Sequence, residues 1–247
     1  MIPKVIHYCW FGRNPLPASA LKCIDSWRKY FPDYEIKEWN EDNFDVNAIP
    51  YTSEAYQARK YAFVSDYARF WILYKYGGVY FDTDVEVIKP MDDIIEKGPF
   101  MGIEVEKDSN NPHQMVAPGL GIAVEAGHEI YRQALEYYSR THFLYDNGIV
   151  KHETIVPLTT RLLLEAGMQP HNELQQVAGI WIYPKEYFNP FDDLTGKMNK
   201  TANTRSIHWY SATWRPANPV RKWLSRWSHR IFGLYLHSLK DRLSSRN

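Results

Sequence analysis

The 247-residue chain has little cysteine and no net charge. Its two cysteines, Cys9 and Cys23, rule out a disulfide framework and fit a reducing compartment. The 29 basic and 29 acidic residues cancel, which argues against a general nucleic-acid binder. No apolar run approaches the roughly 18 residues that a membrane-spanning helix needs. Internal repeats and low-complexity stretches are absent, which excludes solenoid and coiled-coil architectures. The opening MIPKVIHYCWFG has no small-residue cleavage site behind its short apolar run, so a cytoplasmic setting is expected. Aromatic residues, by contrast, are abundant at 15% of the chain. They serve either a large aromatic core or carbohydrate stacking. A chain of this length buries roughly 70–75% of its unfolded surface and needs no staple to fold.

The patterning predicts an α/β protein. Val5 to Trp10 reads as a strand, and Phe11-Gly12-Arg13-Asn14-Pro15 as the loop after it. Ala18 to Tyr30 reads as a helix with Leu21, Ile24 and Trp27 on one face, and Ala20 as a further candidate for it. Tyr34 to Trp39 alternates as a second strand. Strand, helix and strand in this order open a parallel α/β sheet. Residues 60–76 form a helix apolar nearly all round, hence buried, and stopped by Gly77-Gly78. Val79 to Val87 reads as one strand. Further strands are expected at 100–105, 116–124, 181–183 and 206–210, with helices at 128–139 and 154–166.

Chemistry concentrates at Asp82-Thr83-Asp84. Carboxylates at i and i+2 point to one side of an extended strand. Their hard oxygens suit Mg²⁺ or Mn²⁺. A cation held there can neutralise a departing diphosphate. A lone D-x-D is a weak signal, so its setting decides. The setting is a buried helix carrying Asp66 and Arg69 three residues apart, then a Gly-Gly turn, then the strand.

Read as one unit, FVSDYARFWILYKYGGVYFDTDV resembles the signature of glycosyltransferases with a DXD sugar-binding region, family 32-like. The group includes yeast-type α-mannosyltransferases and bacterial capsular-polysaccharide transferases. The opening IPKVIHYCWFG and the late IHWYSATW are similar to that family's ends. The resemblance implies a GT-A fold, a Rossmann-like mixed sheet flanked by helices, over residues 1–214. It implies a nucleotide-sugar donor, with a UDP-sugar favoured, and a glycan or lipid-linked oligosaccharide acceptor in capsular or surface polysaccharide synthesis. Catalytic roles fall on Asp82, Asp84, Asp66 and Arg69. Asp84, Asp82 and His208 would hold Mn²⁺ or Mg²⁺. Trp10 would stack on the base, and Asp66, Arg69 and Asp82 would bind the donor's sugars. Gly78, Ser211 and Trp214 complete the implied donor site. The stretch Pro118-Gly119-Leu120-Gly121 lacks the Asn that relatives often place there, which leaves the sugar open. Relatives retain anomeric configuration. No carboxylate stands out as a nucleophile, so front-face attack is expected. His152-Glu153 are candidate acceptor contacts; Val156 stands where zinc-site spacing would need a second histidine.

Residues 215–247 carry net charge +7, balanced by −7 in the body. Val220, Trp223, Leu224, Trp227, Ile231, Leu234 and Tyr235 fall at helical spacing among basic residues. This is either a helix lying in an anionic membrane surface or one packed on the body. The first option places the protein at the inner face of the cytoplasmic membrane. Two other readings stay open: a haloacid-dehalogenase-like phosphatase, and a non-catalytic carbohydrate-binding protein.

Overall fold

A computed structural model describes residues 1–106, 114–144, 154–193 and 195–211. The strands are β1 (Val5–Cys9), β2 (Glu35–Trp39), β3 (Gly78–Tyr80), β4 (Val85–Val87), β5 (Phe100–Val105), β6 (Met115–Val116), β7 (Ile122–Val124), β8 (Gln175–Val177), β9 (Ile180–Tyr183) and β10 (Ser206–His208). The helices are α1 (Ala18–Tyr30), α2 (Pro50–Gln57), α3 (Tyr61–Tyr76), α4 (Asp92–Lys97), α5 (Glu129–Ser139), α6 (Ile155–Glu165) and α7 (Lys185–Phe188). The main sheet runs β2-β1-β3-β7-β5-β9-β8, with β6 also paired to β5. β2, β1 and β3 are parallel; β7 is antiparallel to β3 and β5. The expected mixed α/β sheet, flanked by helices, is present.

Side-chain alternation along these strands divides the core into two layers. Cys9, Tyr80, Met101, Ile122 and Val124 join one layer with α3, α5 and α6. Ile6, Val79, Phe100 and Ala123 join the other with α1, α4 and α7. Burial of α3 on nearly every side follows from its all-round apolar sequence.

Four expectations are corrected. Residues 79–87 are not one strand: β3 belongs to the main sheet and β4 pairs with β10 in a separate ribbon. Between them, Val85 N–H donates to Asp82 C=O at 3.0 Å, closing a turn. A continuous strand would hold the carboxylates on the sheet; the turn lifts both off it. Residues 116–124 are also broken, because Pro118 opens a 3₁₀ turn between β6 and β7. The last strand ends at His208, and Tyr210 takes a left-handed φ of 48°. On α1 the buried stripe is Ala20, Cys23, Ile24 and Trp27, while Leu21 is exposed. That stripe is the complete i, i+3, i+4, i+7 set, and it leaves Leu21 on the flank.

The sequence pattern gives no sign of α2, α4, α7 and β8. These are short elements, and a one- or two-turn helix shows too little periodicity to register. Pro50 at the first position of α2 is the one usable start signal.

Candidate functional site

The parallel pair β1 and β3 ends at one edge of the sheet. Trp10 follows β1 there, and Asp82 follows β3. Ligands of open α/β sheets gather beyond such carboxyl ends.

Behind Asp82 stands the buried guanidinium of Arg69. Its NH2 group meets Asp66 Oδ1 at 2.9 Å, and its NH1 group meets Asp82 Oδ1 at 3.3 Å. The Arg69 Nε–H donates to Ser65 C=O one helical turn earlier. The same guanidinium lies 5.0 Å from the Tyr80 ring centre, and Tyr80 O–H donates to Asp82 Oδ1 at 3.1 Å. Asp82 is thus fixed by two neighbours rather than left to solvent. Burial alone would pull the Arg69 value down; the neighbouring Asp82, Tyr80 and Asp66 outweigh it and hold the group protonated.

One arginine therefore serves two carboxylates, of which Asp66 is the more deeply buried. Burial pushes its pKa up to about 7, against the pull of Arg69 and helped by the Asp82 charge. Ile155 N–H, at the start of α6, also binds it. Its folded value lies above the ordinary 3.8, so the folded state binds the extra proton. This stability is complete below about pH 4 and disappears as pH rises through about 7. Relative to wild type, Asp66→Asn is expected to gain urea resistance between pH 5 and pH 8. An unchanged difference between the two proteins would show Asp66 ionised throughout.

Asp84 is wrapped by the segment after β10. His208 Nε2 lies 3.1 Å from Asp84 Oδ1, and Ser211 N–H donates to Asp84 Oδ2 at 2.8 Å. Trp209 N–H donates to the Asp84 C=O at 3.0 Å. Burial favours the neutral Asp84 carboxyl, but His208 and Ser211 N–H outweigh it and lower the pKa. Burial likewise disfavours charged His208, and the Asp84 charge overcomes it, raising the pKa.

Ligating atoms of Asp82, Asp84 and His208 all lie within 4.8 Å of one another. Their side chains remain 28%, 18% and 13% exposed, so a ligand can reach them. His208 Nδ1 is buried with no hydrogen-bond partner among the described residues. An imidazole whose Nε2 faces Asp84, with the Asp82 carboxylate close by, is a donor set that suits a divalent cation. Next to this cluster, Ser19, Lys22, Cys23, Phe191, Trp209 and Ser211 line a cavity of about 540 Å³. That volume lies within the range of small-molecule sites.

Residues 17–101 match the model of the glycosyltransferase sugar-binding region containing the DXD motif. The chain carries a glycosyltransferase DXD region. It is 32% identical over 111 residues to inositol phosphoceramide mannosyltransferase 1 of Schizosaccharomyces pombe, covering 40% of this chain and 33% of that one. It is 33% identical over 106 residues to an uncharacterized glycosyltransferase of Acanthamoeba polyphaga mimivirus, covering 40% and 42%. The chain thus spans less than half the length of these relatives. Among solved structures, a glycosyltransferase involved in glycosylation of the major capsid of PBCV-1 aligns with TM-score 0.49 and 12% identity, over 85% of this chain and 95% of that one. The galactosyltransferase LgtC aligns with TM-score 0.45 and 12% identity, over 91% and 95%.

The DXD region contains Asp66, Arg69, Asp82 and Asp84; His208 and Ser211 join it from outside. Trp10 is half-buried, and its indole N–H donates to Asn14 C=O at 2.6 Å. Gly78 is not brought to the acidic cluster. It starts β3, and a Cβ there would meet Val5 O at 2.8 Å and His7 Nε2 at 2.9 Å, so close strand packing requires the glycine. Trp214, His152 and Glu153 lie outside the described residues, as does the stretch 215–247.

Sequence reasoning missed Tyr80 and Gly119. Tyr80 could have been marked by its i, i+2 spacing from Asp82. Gly119 abuts the DXD region: a Cβ there would lie 2.2 Å from Asp82 Oδ2. Only the neighbouring pair of glycines hinted at it. Gly119→Ala is expected to displace the Asp82 carboxylate and lower turnover roughly 10–100-fold in a folded protein, since misplacement of about 1 Å costs on that order. Steady-state kinetics beside a circular dichroism melt check this; wild-type turnover would show that Asp82 has room to move.

Proposed function

We propose that the chain transfers a hexosyl or N-acetylhexosaminyl group from a nucleotide sugar to a hydroxyl of a glycan or lipid-linked acceptor. The observation that carries this reading is the Asp82, Asp84 and His208 cluster, whose two carboxylates lie in the stretch that matches the DXD sugar-binding region. Asp84 and His208 would be the firmer holders of Mn²⁺ or Mg²⁺, because Asp82 is already engaged by Arg69 and Tyr80. Such a cation supplies Lewis-acid stabilisation of the departing diphosphate. Arg69 and Tyr80 orient Asp82, and Asp66 orients Arg69 from behind. Ser211 N–H and the Trp209 backbone fix the Asp84 carboxylate. With no unengaged carboxylate in the cluster, front-face attack with retention is the favoured course. The relative's name supports including a mannose donor and a phosphoinositol lipid acceptor beside the UDP-sugars we favour. Residues 215–247 are proposed as the membrane-surface contact; among the described residues no helix is long and apolar enough to cross a membrane.

The phosphatase reading is disfavoured by Asp82. Both its carboxylate oxygens face the Arg69 guanidinium, within 3.4 Å, so it is not poised as a free nucleophile. The test is nucleoside-diphosphate release from UDP-glucose, UDP-galactose, UDP-N-acetylglucosamine and GDP-mannose, with Mn²⁺ and with chelator. Metal-dependent release from one nucleotide class is expected. Release from none, with hydrolysis of p-nitrophenyl phosphate instead, would favour the phosphatase.

A further inference from the structure

Three groups of the 208–211 segment touch Asp84: the His208 ring, the Trp209 N–H and the Ser211 N–H. Pairing of β10 with β4 places the first two, and the placement of the Ser211 N–H depends on the backbone of residue 210. Between residues 209 and 211 the chain must turn so that Ser211 N–H reaches back to the Asp84 carboxylate. It does so through the left-handed φ of 48° at Tyr210. That conformation favours glycine or asparagine and is strained for a bulky residue.

What a tyrosine adds is its side chain. The ring lies against His208, with centroids 4.2 Å apart and planes at 53°. Its hydroxyl accepts from Asn189 Nδ2 at 2.6 Å and donates to Glu104 Oε1 at 3.1 Å. Asn189 Nδ2 also donates to the Glu104 C=O at 3.2 Å, tying the anchor to β5. Asn189 is 2% exposed, so this anchor is internal. The tyrosine is thus held at both ends, by its strained backbone and by its bonded hydroxyl. His208 is packed against the ring between them.

We propose that Tyr210 is a positioning residue that holds His208 and the Ser211 N–H around Asp84 and thereby sets the affinity of the site for a divalent cation. The proposal rests on the reading that Asp84 and His208 bind such a cation. Residues behind metal ligands typically shift metal affinity by about 10–100-fold. A glycine would relieve the backbone but lose the ring and the anchor; phenylalanine would keep the ring and lose only the anchor.

The test is Mn²⁺ binding by the full chain, followed by electron paramagnetic resonance of the free ion. Wild type, Tyr210→Phe, Tyr210→Gly, Tyr210→Ala and Asp84→Asn are compared, each with its melting temperature. Tyr210→Ala and Tyr210→Gly are expected to bind Mn²⁺ at least about tenfold more weakly than wild type, and Tyr210→Phe about threefold more weakly. Saturating Mn²⁺ is expected to restore kcat in these variants while the metal activation constant stays raised. A merely structural role would instead lower kcat in a way no metal concentration restores, and that would overturn the proposal. So would Mn²⁺ affinity within twofold of wild type in Tyr210→Ala. If Tyr210→Ala and Tyr210→Gly do not fold, Tyr210→Phe decides: an unshifted melt with weakened Mn²⁺ binding supports the proposal, and unchanged binding overturns it. Wild type that binds Mn²⁺ no better than Asp84→Asn would remove the cation reading itself, and the role of Tyr210 with it.

Discussion

Replacing Asp84 by Asn is expected to lower nucleotide-sugar turnover by roughly 10³-fold while leaving the fold in place, since several kcal/mol of charge stabilisation pass through this group. The substitution keeps the side-chain shape. An amide oxygen can still accept the Ser211 N–H that now meets Asp84 Oδ2 at 2.8 Å. The amide nitrogen can face His208 Nε2 in its neutral form. What disappears is the negative charge that raises the His208 pKa and makes the pair attractive to a cation. Chelator-treated wild type should therefore resemble the variant. Near-wild-type turnover would move the metal role away from this carboxylate.

Arg69→Met is expected to be the most destabilising single change at the site. It leaves Asp66 and Asp82 facing each other without their shared cation, and removing one partner of a buried ion pair costs about 3–5 kcal/mol. For a chain of this size that corresponds to a drop in Tm of roughly 6–20 °C. The loss should be larger at pH 8 than at pH 5.5, because Asp66, with its pKa at about 7, takes up a proton in acid. Combining Arg69→Met with Asp66→Asn should recover much of the loss, since one of the stranded charges is then gone. Additivity of the two changes would contradict the shared-arginine geometry. A melt of Arg69→Met within a degree of wild type would show that water reaches the pair.

The central block was legible in the sequence for physical reasons. An all-apolar helix must be buried, so polar residues within it, Asp66 and Arg69, stand out. The Gly77-Gly78 pair marked the end of α3 and the start of β3. The break at Asp82–Asp84 was not legible, because Val79 to Val87 keeps strand-like residues throughout. Only the pairing of β4 with β10, more than a hundred residues later, draws the chain out of the sheet. Gly119 and Tyr210 were hidden for the same reason. Each acts through contacts made by distant segments, Gly119 by leaving room for Asp82 and Tyr210 by turning the chain at Asp84. His208 could be named from resemblance alone, but its unpartnered Nδ1 is visible only in the folded chain.

The most direct test is thermal-shift measurement with UDP- and GDP-sugars, with and without Mn²⁺, on wild type and Asp84→Asn. A ligand at about 100 times its Kd stabilises the folded state by about 2.7 kcal/mol. At roughly 2–4 °C per kcal/mol this is a shift of about 5–11 °C. The account predicts that shift for one nucleotide class, only with Mn²⁺, and its loss in Asp84→Asn. No shift with any nucleotide sugar at saturating metal, or an equal shift in Asp84→Asn, would contradict it.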